Sequence, residues 1–315
     1  MRCLELFAGA GGAALGLEAA GIEHAALVEW DRDACATLRT AGLGPVVEGD
    51  VRDLDAIEAV AGQPIDILWS SFPCQAWSMA GKREGANDER NGWPWSMDAV
   101  DRFRPRWFLG ENVTGLLCHR GGCTYRGGQE GLFAAADPMA CPGCYFERVI
   151  MPDLRSRFPC AGYWELDAAD MGVPQHRRRI FLWAGPVEPK RPRETHGPGW
   201  LQKHQGWGEP IGLSKMELYT QFAPESAKGG NRWIPYTEPA TTISVVGRAQ
   251  IRTMVEAGQD MTEQRYLTVE ECAKLQGFPD DHPWQGTQSS RYRQVGNAVV
   301  PLMAELVGRA VLEAV

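Results

Sequence analysis

Long hydrophobic runs are missing from this 315-residue chain. No apolar stretch approaches the roughly 18 to 20 residues that span a bilayer, and the opening MRCLELFAGA lacks a secretory-signal pattern. The expectation is a soluble, cytoplasmic protein with no membrane partner. A paired cysteine framework is missing as well: the nine cysteines are an odd number, and those at 3, 35, 74, 160 and 272 stand singly, which argues against a disulfide-stapled scaffold. Internal repeats and low-complexity tracts are lacking, so neither a solenoid nor a disordered chain fits. An excess of positive charge is lacking too, since 32 Lys+Arg against 40 Asp+Glu leave a net charge of −8. That balance speaks against a uniformly basic, polyanion-binding surface.

The distribution of charge weakens this last exclusion. Residues 1–60 hold eleven Asp/Glu and four Arg, whereas residues 175–204 hold seven Lys/Arg and two Glu. One face can be acidic and hold a small cofactor while another meets a polyanion.

What is present is alternation. Short apolar runs (CLELF, HAALVEW, IDILWS, RWFLGEN) alternate with amphipathic segments (GGAALGLEAAG, DRDACATLRTA), the pattern of an α/β fold with a mostly parallel sheet covered by helices on both faces. Residues 118–144 interrupt it with glycines and paired cysteines, and YWELDAADMGVPQHRRRIFLWAG resumes it. Residues 186–264 lose the periodicity and read as a separate small domain. Helical pattern returns after Tyr266, in LTVEECAKLQ and AVVPLMAELVGRAVLEAV. The expected organisation is residues 1–185 plus 265–315 as one domain, with 118–144 as an insertion and 186–264 as a second unit.

Gly9, Gly11 and Gly12 lie between a strand and a helix, where a backbone without side chains lets a ligand approach closely. Glu29 ends the next strand and Asp50 follows the third. Carboxylates there accept hydrogen bonds from ribose hydroxyls and an adenine amine but repel a pyrophosphate, which favours an adenosine cofactor without phosphates over NAD or ATP. The absence of a consistent GxGxxG argues the same way against a dehydrogenase.

SFPCQAWSMAGKREG places Cys74 in a proline turn just beyond an apolar strand, where open α/β sheets present their chemistry. Together with FAGAGG, VEWD, GDV, ENVTGLL, GVPQHRRRIF, RYLTVEECAKLQGFPD and RYRQVGNAVV, this segment resembles the ordered motif set of the DNA cytosine-5 methyltransferases of bacterial or phage type. The resemblance covers nearly all the chain outside 118–144 and 186–264. It implies a Rossmann-like S-adenosylmethionine-dependent methyltransferase sheet, a small target-recognition domain at 186–264, and transfer of a methyl group to C5 of a cytosine flipped out of double-stranded DNA.

For individual residues the resemblance implies a nucleophilic thiolate at Cys74 adding to C6. It places Glu111 at N3 and the exocyclic amine, and Arg177 and Arg179 near the nucleophile. The cofactor would lie against Phe7, Gly9, Gly11, Gly12, Glu29, Trp30, Asp50, Val51, Pro73 and Asn297. Gln75, Ser78, Lys82, Arg90 and Gln175 would face DNA. By strand alternation Arg178 is the solvent-facing arginine of its run. The pattern departs from the family after Asp88-x-Arg90, where Asn91 stands in the usual place of a glycine, followed by Gly92, Trp93 and Trp95. A monomer is implied, and a restriction endonuclease counterpart is compatible with it.

Two rival readings carry different expectations. A tRNA cytosine methyltransferase shares the scaffold, but the Cys-Gln after Pro73 and a dedicated recognition region favour DNA. A non-catalytic DNA-binding relative would have no use for Cys74, Glu111, Arg177 and Arg179 together. Separately, the spacing Cys118-x4-Cys123 and Cys141-x2-Cys144 predicts a structural zinc site, with His119 as an alternative to Cys118 and unpaired thiols or disulfides as the competing outcomes.

Overall fold

The computed structural model describes residues 1–73, 91–119, 141–197, 202–208, 210–212, 216–219, 233–235, 237–240, 242, 250–253 and 264–315, with the backbone alone at 216–219, 233–235, 250–253 and 264. In chain order the elements are β1 (Arg2–Leu6), α1 (Gly12–Ala19), β2 (Glu23–Glu29), α2 (Arg32–Thr40), β3 (Val46–Glu48), α3 (Leu54–Ala61), β4 (Ile67–Ser70), α4 (Trp93–Phe103) and β5 (Trp107–Val113). A short turn α5 (Pro142–Tyr145) runs through a π-helical stretch, Phe146–Ile150, into α6 (Met151–Arg157), then β6 (Cys160–Asp167) and β7 (Arg178–Gly185). The strands β8 (Met216–Tyr219), β9 (Trp233–Pro235), β10 (Gln250–Thr253) and β11 (Gln264–Tyr266) precede α7 (Val269–Leu275), α8 (Gln288–Asn297) and α9 (Pro301–Leu312).

Strands β1 to β7 form one sheet in the order β3-β2-β1-β4-β5-β7-β6. The first five are parallel, and β7 runs antiparallel between β5 and β6. Parallel strands buried on both faces read as near-continuous apolar runs, as in β4, Ile67–Ser70, where all four residues are buried and the one polar group, Ser70, bonds to Ser96. Leu4, Leu6, Leu68 and Phe108 pack with α3, α4 and α6. Cys3, Ile67, Trp69 and Trp107 pack on the other face with α1 and α9.

The order reverses between β1 and β4, and such a switch point opens a crevice beyond the carboxyl ends of the strands. The glycine loop after β1, Phe72-Pro73 after β4 and the end of β5 all meet there. The C-terminal helix packs closely on α1: a Cβ on Gly16 would run into the Pro301 carbonyl oxygen and Ala304, so only glycine permits this approach. The stretch Gln288–Leu312 is the one candidate span among the described residues by length and composition, with a mean hydropathy of 1.4 in its apolar window, but 67% of that window is buried inside the protein.

The second sheet is antiparallel, in the order β11-β10-β8-β9. Because β11 runs through Gln264–Tyr266, the boundary expected at 265 falls inside a strand. The helix that follows starts on a capping box, Thr268 accepting from the Glu271 amide and Glu271 from the Thr268 amide.

Away from the crevice, His24 is buried between Glu5 at 3.2 Å and Glu18 at 3.6 Å. Burial opposes the imidazolium, yet the two carboxylates outweigh it and hold the His24 pKa at about 9. The folded value lies above the ordinary 6.5, so this stabilisation is complete below 6.5 and is lost as pH rises to about 9. Urea denaturation should show stability falling across that window by at most about 1.4 kcal/mol per pH unit, and His24→Gln should flatten the fall.

Candidate active site

The loop from Phe7 to Gly12 turns sharply. Phe7 has φ 58 and Gly9 and Gly11 have φ 55 and 89, and a non-glycine residue in this left-handed region is uncommon. Glu29 braces the turn by accepting three backbone N–H bonds, from Gly9 at 2.8 Å, Trp30 at 2.9 Å and Asp31 at 2.8 Å. Burial pushes the Glu29 pKa up, against those bonds. The carboxylate's acceptor capacity is therefore mostly taken, by Gly9 of the loop and by the backbone just after Glu29, and about one lone-pair direction remains for a ribose hydroxyl.

His282 holds the same loop from the C-terminal side, with Nε2 3.1 Å from the Ala10 carbonyl. Beside the turn, Trp30 is 81% exposed, an unusual state for a tryptophan and suited to stacking on a flat ring. A Cβ on Gly9 would meet nothing within 4 Å, so the backbone there faces open space. These features fit an adenosine-bearing cofactor.

Asp50 is placed differently from expectation. Its carboxylate is paired with Arg52, which lowers its pKa, and the Arg52 guanidinium lies 5.0 Å over the Trp95 ring. Trp95 in turn stacks on Phe7 at 6.5 Å. Val51 beside it is buried in the core. Asn297 is exposed and is the last residue of α8; the cap of α9 is Val300.

Strand β5 ends at the crevice with Glu111 and Asn112. The antiparallel register with β7 sets Val113 opposite Arg179 and Glu111 opposite Phe181, so Arg179 Nε reaches Glu111 Oε1 at 2.8 Å. Both groups are largely shielded. Burial raises the Glu111 pKa, with Arg179 and Arg177 acting against it.

Next to Glu111, Asn112 Nδ2 donates to the Phe72 carbonyl at 2.9 Å, fastening the end of β5 to the turn that leads into Cys74. Cys74, Gln75, Ser78, Lys82 and Arg90 themselves lie outside the described residues.

The segment returns at Asn91 and Gly92. A Cβ on Gly92 would lie 2.7 Å from Pro73 Cδ and 2.9 Å from Phe7 Cζ, so glycine brings this return against both the proline turn and the cofactor loop. Trp93 is buried and its indole N–H donates to Asp153 at 2.8 Å. The departure from the family pattern after Arg90 thus has a structural use: Trp93 anchors α4, and Trp95 covers Phe7.

Arg177 is fully buried and donates through one guanidinium nitrogen to the carbonyls of Gly296 at 3.0 Å and Ala298 at 2.9 Å. Burial and the neighbouring Arg179 pull its pKa down, and Glu111 opposes them. It ties the arginine motif to the Gly296-Asn297 motif. Asp167 sets its position by accepting the Arg177 amide at 2.9 Å and pairing with His176 at 3.0 Å. Arg178 points to solvent, as alternation requires.

Gln175 departs from its expected DNA-facing position. It is wholly buried, because Pro174–His176 pairs with Ala240, whose amide donates to Pro174 and whose carbonyl accepts from His176. Thr242 adds a bond to the His176 carbonyl at 2.8 Å. The Gln175 amide has no hydrogen-bond partner among the described residues.

In the insertion, the cysteine expectation is met in part and altered. Cys141 and Cys144 are buried, and their sulfurs lie 3.9 and 3.7 Å from His119 Nδ1. Cys118 is exposed and directs its thiol to the Thr114 carbonyl at 3.8 Å. His119 thus occupies the place expected for Cys118, because Cys118 belongs to the turn that closes on Thr114. Cys123 lies outside the described residues.

Asn112, Asp167, Gly92 and His282 carry positioning roles that sequence reasoning did not assign. Asn112 lies inside the ENVTGLL motif, but its partner, 40 residues away, leaves no local signal.

Comparison with known proteins follows the same outline. The profile of "C-5 cytosine-specific DNA methylase" matches residues 1–127 and 202–313. The chain is 31% identical to Type II methyltransferase M.NgoMIV of Neisseria gonorrhoeae, across 99% of this chain and 97% of that protein. It is likewise 31% identical to Type II methyltransferase M.Eco47II of Escherichia coli, across 98% and 78%. Among solved structures, a variant of Spodoptera frugiperda DNMT2 superposes with a TM-score of 0.64 at 18% identity, covering 98% of this chain and 99% of that one, a likeness of fold.

Proposed function

This chain belongs to the C-5 cytosine-specific DNA methylases, and from that premise we propose that it methylates cytosine through a covalent Cys74 adduct on a base turned out of the duplex. Its activity is S-adenosylmethionine-dependent methylation of cytosine in DNA. The observation that supports the mechanism best is the junction at β5, where Glu111 faces Arg179 while its neighbour Asn112 holds the turn before Cys74.

Cytosine C5 is a weak nucleophile. Addition of the Cys74 thiolate to C6 forms an S–C6 bond and shifts ring electrons toward N3, leaving an enamine whose C5 can form a new bond. Glu111, whose pKa burial raises against the pull of Arg179 and Arg177, is the group placed to give a proton to N3. Arg179 beside it steadies the carboxylate that results. S-adenosylmethionine supplies an electrophilic methyl on a sulfonium. Loss of the C5 proton to solvent, return of the N3 proton to Glu111 and breaking of the S–C6 bond then restore the aromatic ring, the carboxyl group and the thiolate.

Phe7, Gly9, Glu29 and Trp30 would hold the adenosine part, with Asp50 reaching it only if Arg52 yields. Turning the base out costs a few kcal/mol of stacking, which contacts from Gln75, Ser78, Lys82 and Arg90 would offset. The region 186–264, docked on Pro174–His176 through Ala240, would read the target sequence. We assign a structural zinc ion to the cysteine insertion, and take the enzyme to act as a monomer, with a restriction endonuclease as counterpart.

Incubation with tritiated S-adenosylmethionine and unmethylated genomic DNA, followed by bisulfite sequencing, should give 5-methylcytosine at one short recurring sequence. Label in tRNA with none in DNA would overturn the assignment.

A further inference from the structure

We propose that zinc is held by His119, Cys141 and Cys144, with Cys118 outside the ligand set, and that the metal site anchors the far end of the Cys74 segment through Tyr145 and Asn91. The inference rests on the zinc assignment and adds which donors hold the ion and what the ion holds in place.

The donor spacing suits the ion. The three ligand atoms lie within 4.8 Å of one another, and the N···S separations of 3.7 and 3.9 Å compare with roughly 3.6 Å across a tetrahedral zinc having ordinary Zn–N and Zn–S bonds. Two sulfurs and one imidazole select zinc over magnesium or calcium. Zinc takes four donors, and three of them are found among the described residues.

The surroundings are arranged around the histidine. While Nδ1 faces the two sulfurs, Nε2 lies 3.3 Å from Glu147 Oε1, the carboxylate–imidazole pairing that fixes tautomer and ring orientation in metal sites. A Cβ on Gly143 would sit 2.9 Å from His119 Cδ2 and Nε2, so the Cys-Pro-Gly-Cys turn needs its glycine to admit the ring. The Gly143 amide also donates to the Cys118 carbonyl at 3.2 Å, using the backbone of Cys118 and not its thiol.

From this turn a short path leads to the catalytic segment. Tyr145 follows Cys144, and its hydroxyl accepts from Asn91 Nδ2 at 2.8 Å in a buried contact. Asn91 Oδ1 accepts from the Trp93 amide at 3.3 Å, and Gly92 between them packs on Pro73 and Phe7. The metal therefore fixes the Cys144–Tyr145 step, and Tyr145 fixes the residue at which the chain re-enters α4.

The test is zinc content and X-ray absorption on the full-length protein. One zinc per chain with imidazole scattering is expected, retained in Cys118→Ser and lost in His119→Ala. Absence of zinc from the wild type would overturn the zinc assignment itself. Zinc without imidazole scattering, or zinc lost from Cys118→Ser and kept by His119→Ala, would overturn the ligand set alone.

Tyr145→Phe should keep its zinc, raise hydrogen exchange at Asn91–Trp95 by about tenfold, and lower kcat about three- to tenfold with the S-adenosylmethionine KM unchanged. Unaltered exchange in that zinc-loaded variant would overturn the anchoring role, whether or not the enzyme is active on the DNA supplied.

Discussion

Cys74→Ser is expected to lower methyl transfer at least about a thousandfold, roughly 4 kcal/mol of barrier, while leaving DNA and S-adenosylmethionine binding intact. A hydroxyl cannot replace the thiol, because it is scarcely ionised near neutral pH, whereas a thiol of ordinary pKa about 8.5 already provides a few per cent of thiolate. Arg179 at the start of β7 and the C-terminal motif tied down by Arg177 converge on the end of the crevice where this segment begins. Single-turnover assays with tritiated donor, alongside gel-shift titration of DNA, separate the chemical step from binding. Retained turnover in Cys74→Ser would remove the covalent step.

Glu111→Gln is expected to cost about a hundred- to ten-thousandfold in kcat, the range for removal of a positioned proton donor. The carboxyl differs from an exposed glutamate in its setting. Burial raises its pKa, and Arg179 at 2.8 Å opposes that rise. An amide of similar shape still offers hydrogen bonds but cannot give up a proton when electrons reach N3. The binding constant for S-adenosylmethionine should stay unchanged, since among the described residues the glycine loop is held by Glu29 and His282, whereas Glu111 pairs with Arg179. Measurement of kcat and the cofactor dissociation constant together checks both halves, and an equal fall in affinity would point instead to damage at the loop.

Much of the fold was legible because parallel strands buried on both faces leave continuous apolar runs. β1, β2, β4 and β5 could each be read from such a run, and the glycines after β1 marked the cofactor turn. Glu111 was legible only through the resemblance of its ENVTGLL motif to the family pattern. Long-range partners were not legible. Nothing in the sequence shows that Arg52, which pairs with Asp50 two residues back, also covers the distant Trp95. Gln175 reads as a polar residue in a basic motif, and only the pairing with Ala240, 65 positions on, buries it. In the insertion, spacing favoured Cys118 with His119 as the alternative, and which of the two adjacent side chains faces Cys141 and Cys144 depends on the backbone turn, which spacing does not encode. The departure from the family pattern is Asn91 in the usual place of a glycine, and the tryptophans that follow it carry partners that no local signal shows, Asp153 for Trp93 and Phe7 for Trp95.

The most direct test of the central claim is trapping on DNA synthesised with 5-fluorocytosine in place of cytosine, in the presence of S-adenosylmethionine. Once C5 carries both fluorine and a methyl group, no proton can leave and the S–C6 bond cannot be released by the normal route. The account predicts a denaturation-resistant protein–DNA complex whose digest carries a methylated fluorocytosine on the peptide containing Cys74. Methylation of ordinary DNA by the same preparation, with no such complex or with the adduct on another residue, would contradict it.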